Sequence, residues 1–75
     1  MPKIDFSSLE KRWPSAFVAR GDFPKFTGGL YSPKYVSNLD ARGLGPEGRV
    51  RVGRKILYPV RSVIKWLEAR ASLVG

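Results

Sequence analysis

The sequence predicts a small α+β domain that is mainly helical and contains a two-stranded β-hairpin. Apolar residues recur at the 3.6-residue period of an α-helix in two segments, residues 33–42 and residues 60–71. Between them, residues 50–58 form two short β-prone runs on either side of a glycine, which is typical of a hairpin. With 75 residues, the chain has the length of one such domain.

The composition indicates a folded protein that is not an enzyme. The apolar fraction is 43% and nine residues are aromatic, which provides enough apolar surface for a compact core. The chain has no cysteine and no histidine, and only six carboxylates are scattered along it. The usual nucleophile–base pairs and zinc sites cannot be assembled from this set. We therefore expect no catalytic residues, no metal and no cofactor.

The charge points to a phosphate-rich partner. The formal net charge is +8 and the pI is about 10.5. Such a balance is typical of proteins that bind nucleic acid, and less often of proteins that bind anionic membranes. No window approaches the roughly 18 apolar residues of a membrane span. We expect a cytoplasmic protein without a membrane partner.

The first segment, residues 1–15, is predicted to be an N-terminal arm or a short capping helix. Apolar residues three and four apart between positions 4 and 13 favour a short helix, and Ser7–Glu10 has the S-x-x-E pattern of a capping box. The segment has two possible roles. It contacts the nucleic-acid backbone through Lys11 and Arg12, or it covers the core with Trp13 as its anchor; we prefer the second.

The next residues are less distinctive. Residues 16–20 fit either a helix or an extended segment, and we favour the extended one. Asp22 is predicted to cap a short helix that buries Phe23 and Phe26, and the glycines at 28–29 end that helix.

The following helix has the clearest boundaries. Ser32 is a good N-cap, Pro33 stands at the first helical position, and Gly43 follows the predicted end. A proline costs nothing at the first position because the N–H that it lacks would be unpaired there.

One side of this helix is apolar and the other is polar. Val36 and Leu39 form the apolar stripe, which Leu30 joins from the preceding turn. Lys34 lies in the first turn, where a cation opposes the helix dipole, and it is either a contact to a phosphate or base or a solvated charge. The candidate DNA-contacting residues of the helix are Ser32, Lys34, Tyr35, Ser37, Asn38 and Arg42.

The register of the hairpin is predicted from burial. A two-residue Gly53-Arg54 loop would mix apolar and polar residues on each face of the hairpin. A three-residue loop at 53–55 instead pairs Val52 with Ile56 and gives one apolar face, so we predict the longer loop, with Arg54 and Lys55 at the tip. The candidate phosphate-contacting residues of the hairpin are Arg49, Arg51, Arg54 and Lys55.

The last helix is amphipathic from Pro59 onward. Its apolar stripe consists of Val60, Val63, Ile64, Leu67 and Ala71. Trp66 lies at the margin of the stripe, and we expect it to pack on the hairpin rather than to stack on a base.

Residues 17–70 resemble the MerR-type winged helix-turn-helix domains of phage and plasmid excisionases and AlpA-like prophage regulators. The most specific match is R-V-G-R-K-I-L-Y-P at 51–59 followed by V-I-K-W-L-E at 63–68, which is similar to that family's R-I-G-R-R, aromatic-rich strand, proline and L-x-x-W-L-E. The segment S-P-K-Y-V-S-N-L at 32–39 stands where the family has its recognition helix.

The resemblance implies a winged helix-turn-helix domain at 16–72, with the hairpin as the wing and a tail at 73–75. It implies that Lys34, Ser37 and Asn38 face the major groove of double-stranded DNA. It also implies that Arg51, Arg54 and Lys55 address the DNA backbone or the flanking minor groove.

Three functions fit this sequence. The first is sequence-specific binding of double-stranded DNA by a mobile-element protein, as an excisionase or a transcription regulator, alone, self-associated on DNA or with an integrase. The second is the DNA-recognition and assembly subunit of a phage packaging complex, a small terminase. The third is RNA binding, with Tyr35 as the main base-stacking candidate. A neighbouring integrase gene would favour the first function and a packaging ATPase gene the second.

Overall fold

A computed structural model describes residues 7–71 of the chain. These residues form four α-helices and one three-stranded antiparallel sheet, which confirms the predicted α+β class. In chain order the elements are α1 (Ser7–Arg12), β1 (Phe17–Ala19), a 3₁₀ turn (Arg20–Asp22), α2 (Phe23–Phe26), α3 (Pro33–Ala41), β2 (Val50–Val52), β3 (Lys55–Pro59) and α4 (Val60–Arg70). The first six residues of the N-terminal arm and the predicted tail at 73–75 lie outside the described residues.

The sheet has one strand more than the predicted hairpin. The strand order is β1-β3-β2, so β3 lies in the middle. β1 pairs antiparallel with β3, with Val18 opposite Tyr58, and both side chains are fully buried. The extended prediction for residues 16–20 is therefore confirmed over β1, but its pairing with β3 was missed.

The predicted three-residue hairpin loop is wrong. Val52 pairs with Lys55 and Val50 with Leu57, so the loop consists of Gly53 and Arg54 alone. Gly53 has a φ of 63°, which a two-residue hairpin turn requires at its first central position. All three residues of β2 are exposed. Neither face of this edge strand is buried, so burial of apolar side chains does not determine the register. The geometry of the turn determines it instead.

α3 and α4 follow the predicted patterns closely. The hydroxyl of Ser32 accepts a hydrogen bond from the backbone N–H of Tyr35 at 3.1 Å, and Gly43 has a φ of 73° just after the helix. The N-cap and the C-terminal glycine are thus confirmed. α4 buries Val60, Val63, Ile64 and Leu67, the predicted stripe as far as α4 extends.

Two predictions around α2 need correction. Asp22 stands at the N-cap position but makes no side-chain capping bond, because it ends a 3₁₀ turn with ψ near 2° rather than the extended backbone of an N-cap. Leu30 was expected in the core, yet 66% of it is exposed. Tyr31, one residue later, packs against the core in its place.

The core lies between the sheet and the helices. It combines residues of β1, α2, α3, β3 and α4, namely Val18, Phe23, Phe26, Val36, Tyr58, Val60, Val63, Ile64 and Leu67. None of the helices within residues 7–71 has the length and apolar character to cross a membrane.

The segment after α1 closes one side of this core. The indole ring of Trp13 meets the ring of Phe26 edge-on, with ring centroids 5.1 Å apart, and its N–H donates to the carbonyl of Phe17 at 2.9 Å. At the surface, Arg61 of α4 pairs with Glu10 of α1 at 3.2 Å. Trp13 therefore anchors the segment on the core, as predicted.

Candidate nucleic-acid interface

Most of the predicted contact residues of α3 lie on its exposed side. Lys34, Tyr35, Asn38 and Arg42 are exposed, and the hydroxyl of Ser32 caps the helix. They share this side because Val36 and Leu39 direct the opposite stripe into the core.

Two of the predicted residues are engaged with other side chains. Ser37 is half-buried, and its hydroxyl accepts a hydrogen bond from Arg20 at 3.4 Å. The ring of Tyr35 stacks on that of Tyr31, with centroids 5.4 Å apart and planes 4° from parallel, and its hydroxyl accepts from Arg70. Ser37 is thus tied to the protein, whereas Tyr35 is exposed but held in one orientation.

The β2–β3 hairpin carries the second group of predicted contact residues. Arg49, Arg51, Arg54 and Lys55 are all exposed. Arg54 occupies the turn, whereas Lys55 is the first residue of β3, so only one of the two cations predicted for the tip lies in the loop. Both side chains are exposed at the distal end of the hairpin.

The hairpin approaches α3 near both ends of that helix. Near its tip, Arg54 and Lys55 line a cleft of about 310 Å³ together with Pro33, the first residue of α3. Arg20 and Asp22 from the 3₁₀ turn complete the charged part of this lining. At its base, Arg49 approaches Asp40 near the end of α3, with 3.7 Å between Nη1 and Oδ1. The cationic hairpin thus borders α3 at Pro33 and Asp40, near the two ends of the helix.

A buried polar cluster fixes the position of α3. Asp40 is 6% exposed, and its Oδ2 accepts hydrogen bonds from the phenol of Tyr58 and from Nη2 of Arg20, the latter at 2.7 Å. Arg20 also donates from Nε to the phenolic oxygen of Tyr58 at 2.9 Å. The cluster therefore joins α3 to the 3₁₀ turn and to the middle strand of the sheet.

The cluster perturbs the ionisation of its members. Burial and the hydrogen bond to the Asp40 carboxylate raise the pKa of Tyr58 to about 12. Burial lowers the pKa of Arg20, but the hydrogen bonds to Tyr58 and Asp40 outweigh it and raise that pKa above its ordinary value. Tyr58 therefore stays a neutral donor, and Arg20 a cation, across the physiological range.

The other oxygen of Asp40 lies against the loop after α3. Oδ1 is buried and accepts no hydrogen bond from residues 7–71, and a Cβ placed on Gly45 would come within 1.8 Å of it. Only glycine leaves room for the carboxylate here. The half-exposed Arg49 guanidinium, at 3.7 Å, is the cation that faces this oxygen.

No protein-family model matches the chain, and no curated protein and no solved structure is significantly similar to it. The resemblance to excisionases and prophage regulators stays a prediction.

The sequence did not predict the cluster of Asp40, Tyr58 and Arg20. One signal for it existed, because Asp40 follows Val36 by four positions and therefore lies on the buried stripe of α3. A carboxylate on a buried stripe requires partners, but the sequence does not say that they are Tyr58 and Arg20.

Trp66 is structural as expected, although its N–H donates to the carbonyl of Leu44 and its ring packs on Phe23 and Tyr31 rather than on the hairpin. Among residues 7–71, no group of potential ligands could hold a metal ion.

Proposed function

We propose that the chain binds double-stranded DNA sequence-specifically as a winged helix-turn-helix protein of a mobile element. In this role it acts as a recombination directionality factor or as a transcription regulator. Two observations together carry the proposal: α3 has an exposed polar side, and the cationic β2–β3 hairpin borders the same helix at Pro33 and Asp40.

The dimensions of α3 suit the major groove. Its nine residues span roughly 14 Å, and a helix fits the width of that groove with its exposed side against the base edges. Within that side, the amide of Asn38 has the donor and acceptor pair that matches adenine, and the ammonium of Lys34 is suited to guanine. These two residues are the proposed base readers.

The hairpin has the chemistry of a phosphate-contacting element. Arg51, Arg54 and Lys55 are exposed cations on a short two-stranded projection, and β2 has no buried face that the core requires. Contacts of this kind provide affinity that depends on salt and not on sequence. The proposal thus assigns affinity mainly to the hairpin and base selection to α3.

A single copy reads too few base pairs for a highly specific site. Each good base contact contributes roughly 1–3 kcal/mol of discrimination. We therefore propose that the protein binds repeated sites, or binds next to a second copy or an integrase.

The test is selection of bound duplexes from a random pool, with the full chain. We expect one short enriched motif, and its spacing within selected duplexes reports how many copies bind. The Asn38→Ala variant should lose preference for that motif while keeping its affinity for random duplex. A pool without enrichment, or tighter binding of single-stranded RNA at the same salt concentration, would contradict the proposal.

A further inference from the structure

A second surface is a groove formed by the end of α1 with the residue that follows it, by α2 with its following turn, and by the end of α4. It encloses about 720 Å³. Its apolar part is made by Trp13, Phe26, Leu30 and Leu67. The residues that line it lie outside the candidate DNA-contacting residues of α3 and of the hairpin.

The apolar part of the groove includes surface that the core does not use. Phe26 and Leu67 are nearly fully buried and form part of the core, but Leu30 is 66% exposed. A large apolar side chain exposed beside a concave apolar surface is typical of a binding site. The groove therefore offers apolar contacts to a partner side chain.

The charged part of the groove has a single sign. Arg12, Lys25 and Arg70 line it, and no carboxylate of residues 7–71 does. Arg70 is held in place, because it donates to the hydroxyls of Tyr31 and Tyr35 and lies over the ring of Trp66 at 5.0 Å. A partner with carboxylates beside its apolar side chains would be complementary to this arrangement.

We propose that this groove is a docking site for an acidic segment of a partner protein that inserts apolar side chains among Trp13, Phe26, Leu30 and Leu67. The surrounding cations select carboxylates, and the recessed apolar surface selects large aliphatic or aromatic side chains. A nucleic-acid backbone would satisfy the cations but not the apolar surface. A membrane would require apolar side chains that project from the protein, whereas those of the groove, apart from Leu30, are recessed.

The probe is a short synthetic peptide with leucines on one helical face and glutamates on the other. It is titrated into the ¹⁵N-labelled full chain without DNA, so that the outcome does not depend on the proposed DNA binding. We expect the largest chemical-shift changes at the backbone of residues 25–31 and 67–71. A peptide of the same composition in scrambled order should bind at least about tenfold more weakly, because its leucines cannot enter together.

Two variants with matched controls separate docking from general charge attraction. Leu30→Ala should weaken peptide binding by about tenfold, whereas Leu44→Ala, at another exposed leucine that lies outside the groove, should leave it unchanged. Lys25→Glu should weaken binding more than Lys55→Glu on the hairpin. Leu30 and Lys25 are exposed, so both variants should fold as the parent does.

Four results would overturn the proposal. The first is equal effects of the groove variants and their controls. The second is tighter binding of single-stranded DNA or of anionic phospholipid vesicles than of the peptide at the groove. The third is a parent protein that does not bind the peptide but self-associates, with self-association lost in Leu30→Ala. This result would show that the groove binds a second copy of the chain. The fourth is at least tenfold tighter peptide binding after deletion of residues 72–75, which would assign it to the chain's own end.

Discussion

The phenol of Tyr58 donates a hydrogen bond to the carboxylate of Asp40, and this contact joins the middle strand of the sheet to α3. Both residues are buried, and Arg20 bonds to both of them. The proposed base-reading side of α3 is thus oriented from within the protein, by a cluster on the opposite side of the same helix. Disturbing this cluster should affect stability first and DNA binding as a consequence.

Replacing Tyr58 with phenylalanine tests the contribution of the cluster to stability. The ring still fills its place in the core, but the Asp40 carboxylate loses one donor and Arg20 loses an acceptor. We expect the free energy of unfolding to fall by about 1–3 kcal/mol, the range for a buried polar group that is left unsatisfied. Urea denaturation of the variant measures it. Tyr31→Phe, which removes a hydroxyl that meets Arg70 at the surface, is the control and should cost less than about 0.5 kcal/mol.

The raised pKa of Tyr58 predicts how stability changes in alkali. The phenol has an ordinary pKa of 10.0 when the chain is unfolded and of about 12 when it is folded. Below pH 10 both states are protonated, and this contribution to stability is complete. Between pH 10 and 12 the unfolded state releases the proton while the folded state retains it, so the free energy of unfolding falls.

This pH dependence is measured by urea denaturation at several pH values in that window. In Tyr58→Phe the fall should be smaller, and the ultraviolet titration of the folded protein should lack the phenolate component near pH 12. The same slope in the variant and the parent would show that other groups cause it.

Gly45 predicts a steric limit on the loop after α3. In Gly45→Ala the new methyl group would lie 1.8 Å from Oδ1 of Asp40, so either the loop or the carboxylate must shift. We expect a loss of about 1–3 kcal/mol of stability, as for other overpacked sites. Gly21→Ala is the matched control, because within the described part of the chain no atom beyond its sequence neighbours lies within 4 Å of its Cβ position. Thermal unfolding that is equally affected in both variants would contradict the close approach.

The hairpin cations predict the salt dependence of DNA binding. Replacing Arg54 and Lys55 together with alanine should weaken binding to every duplex. If both residues contact phosphates, the slope of log K against log salt concentration should fall by roughly two units. Arg61→Ala with Lys65→Ala removes the same charge from exposed positions of α4 and is the control. An unchanged slope in the hairpin variant would show that the hairpin does not contact the DNA backbone.

Elements with local signals were predictable from the sequence. The N-cap at Ser32 and the glycine at position 43 define α3, and the 3.6-residue period defines the buried stripe of α4. Each of these signals depends on residues within a few positions of one another, so it operates whatever the rest of the chain does. The polar side of α3 and the cationic hairpin were predictable for the same reason.

The register of the hairpin could not be predicted from the local apolar pattern. The apolar pattern of 50–58 favoured a longer loop because it assumed that one face was buried. The side chains of β2 are instead exposed and pack against no core, and Gly53 adopts the positive φ of a two-residue turn. Leu30 was misplaced in a comparable way, since the turn before it directs Tyr31 rather than Leu30 onto the core.

The sequence by itself determined the helices, the polarity of their faces and the position of the positive charge along the chain. Only the tertiary structure decided that β1 completes the sheet, that Asp40 meets Tyr58 and Arg20, and that a basic apolar groove forms between α1, α2 and α4. The contacts of the sheet and of the Asp40 cluster join residues 18 or more positions apart. They form only once the core has packed, since burial gives the Asp40 hydrogen bonds their strength and brings the segments of the groove together. The sequence therefore predicted the cations of the hairpin, whereas tertiary packing decided that the hairpin lies near α3.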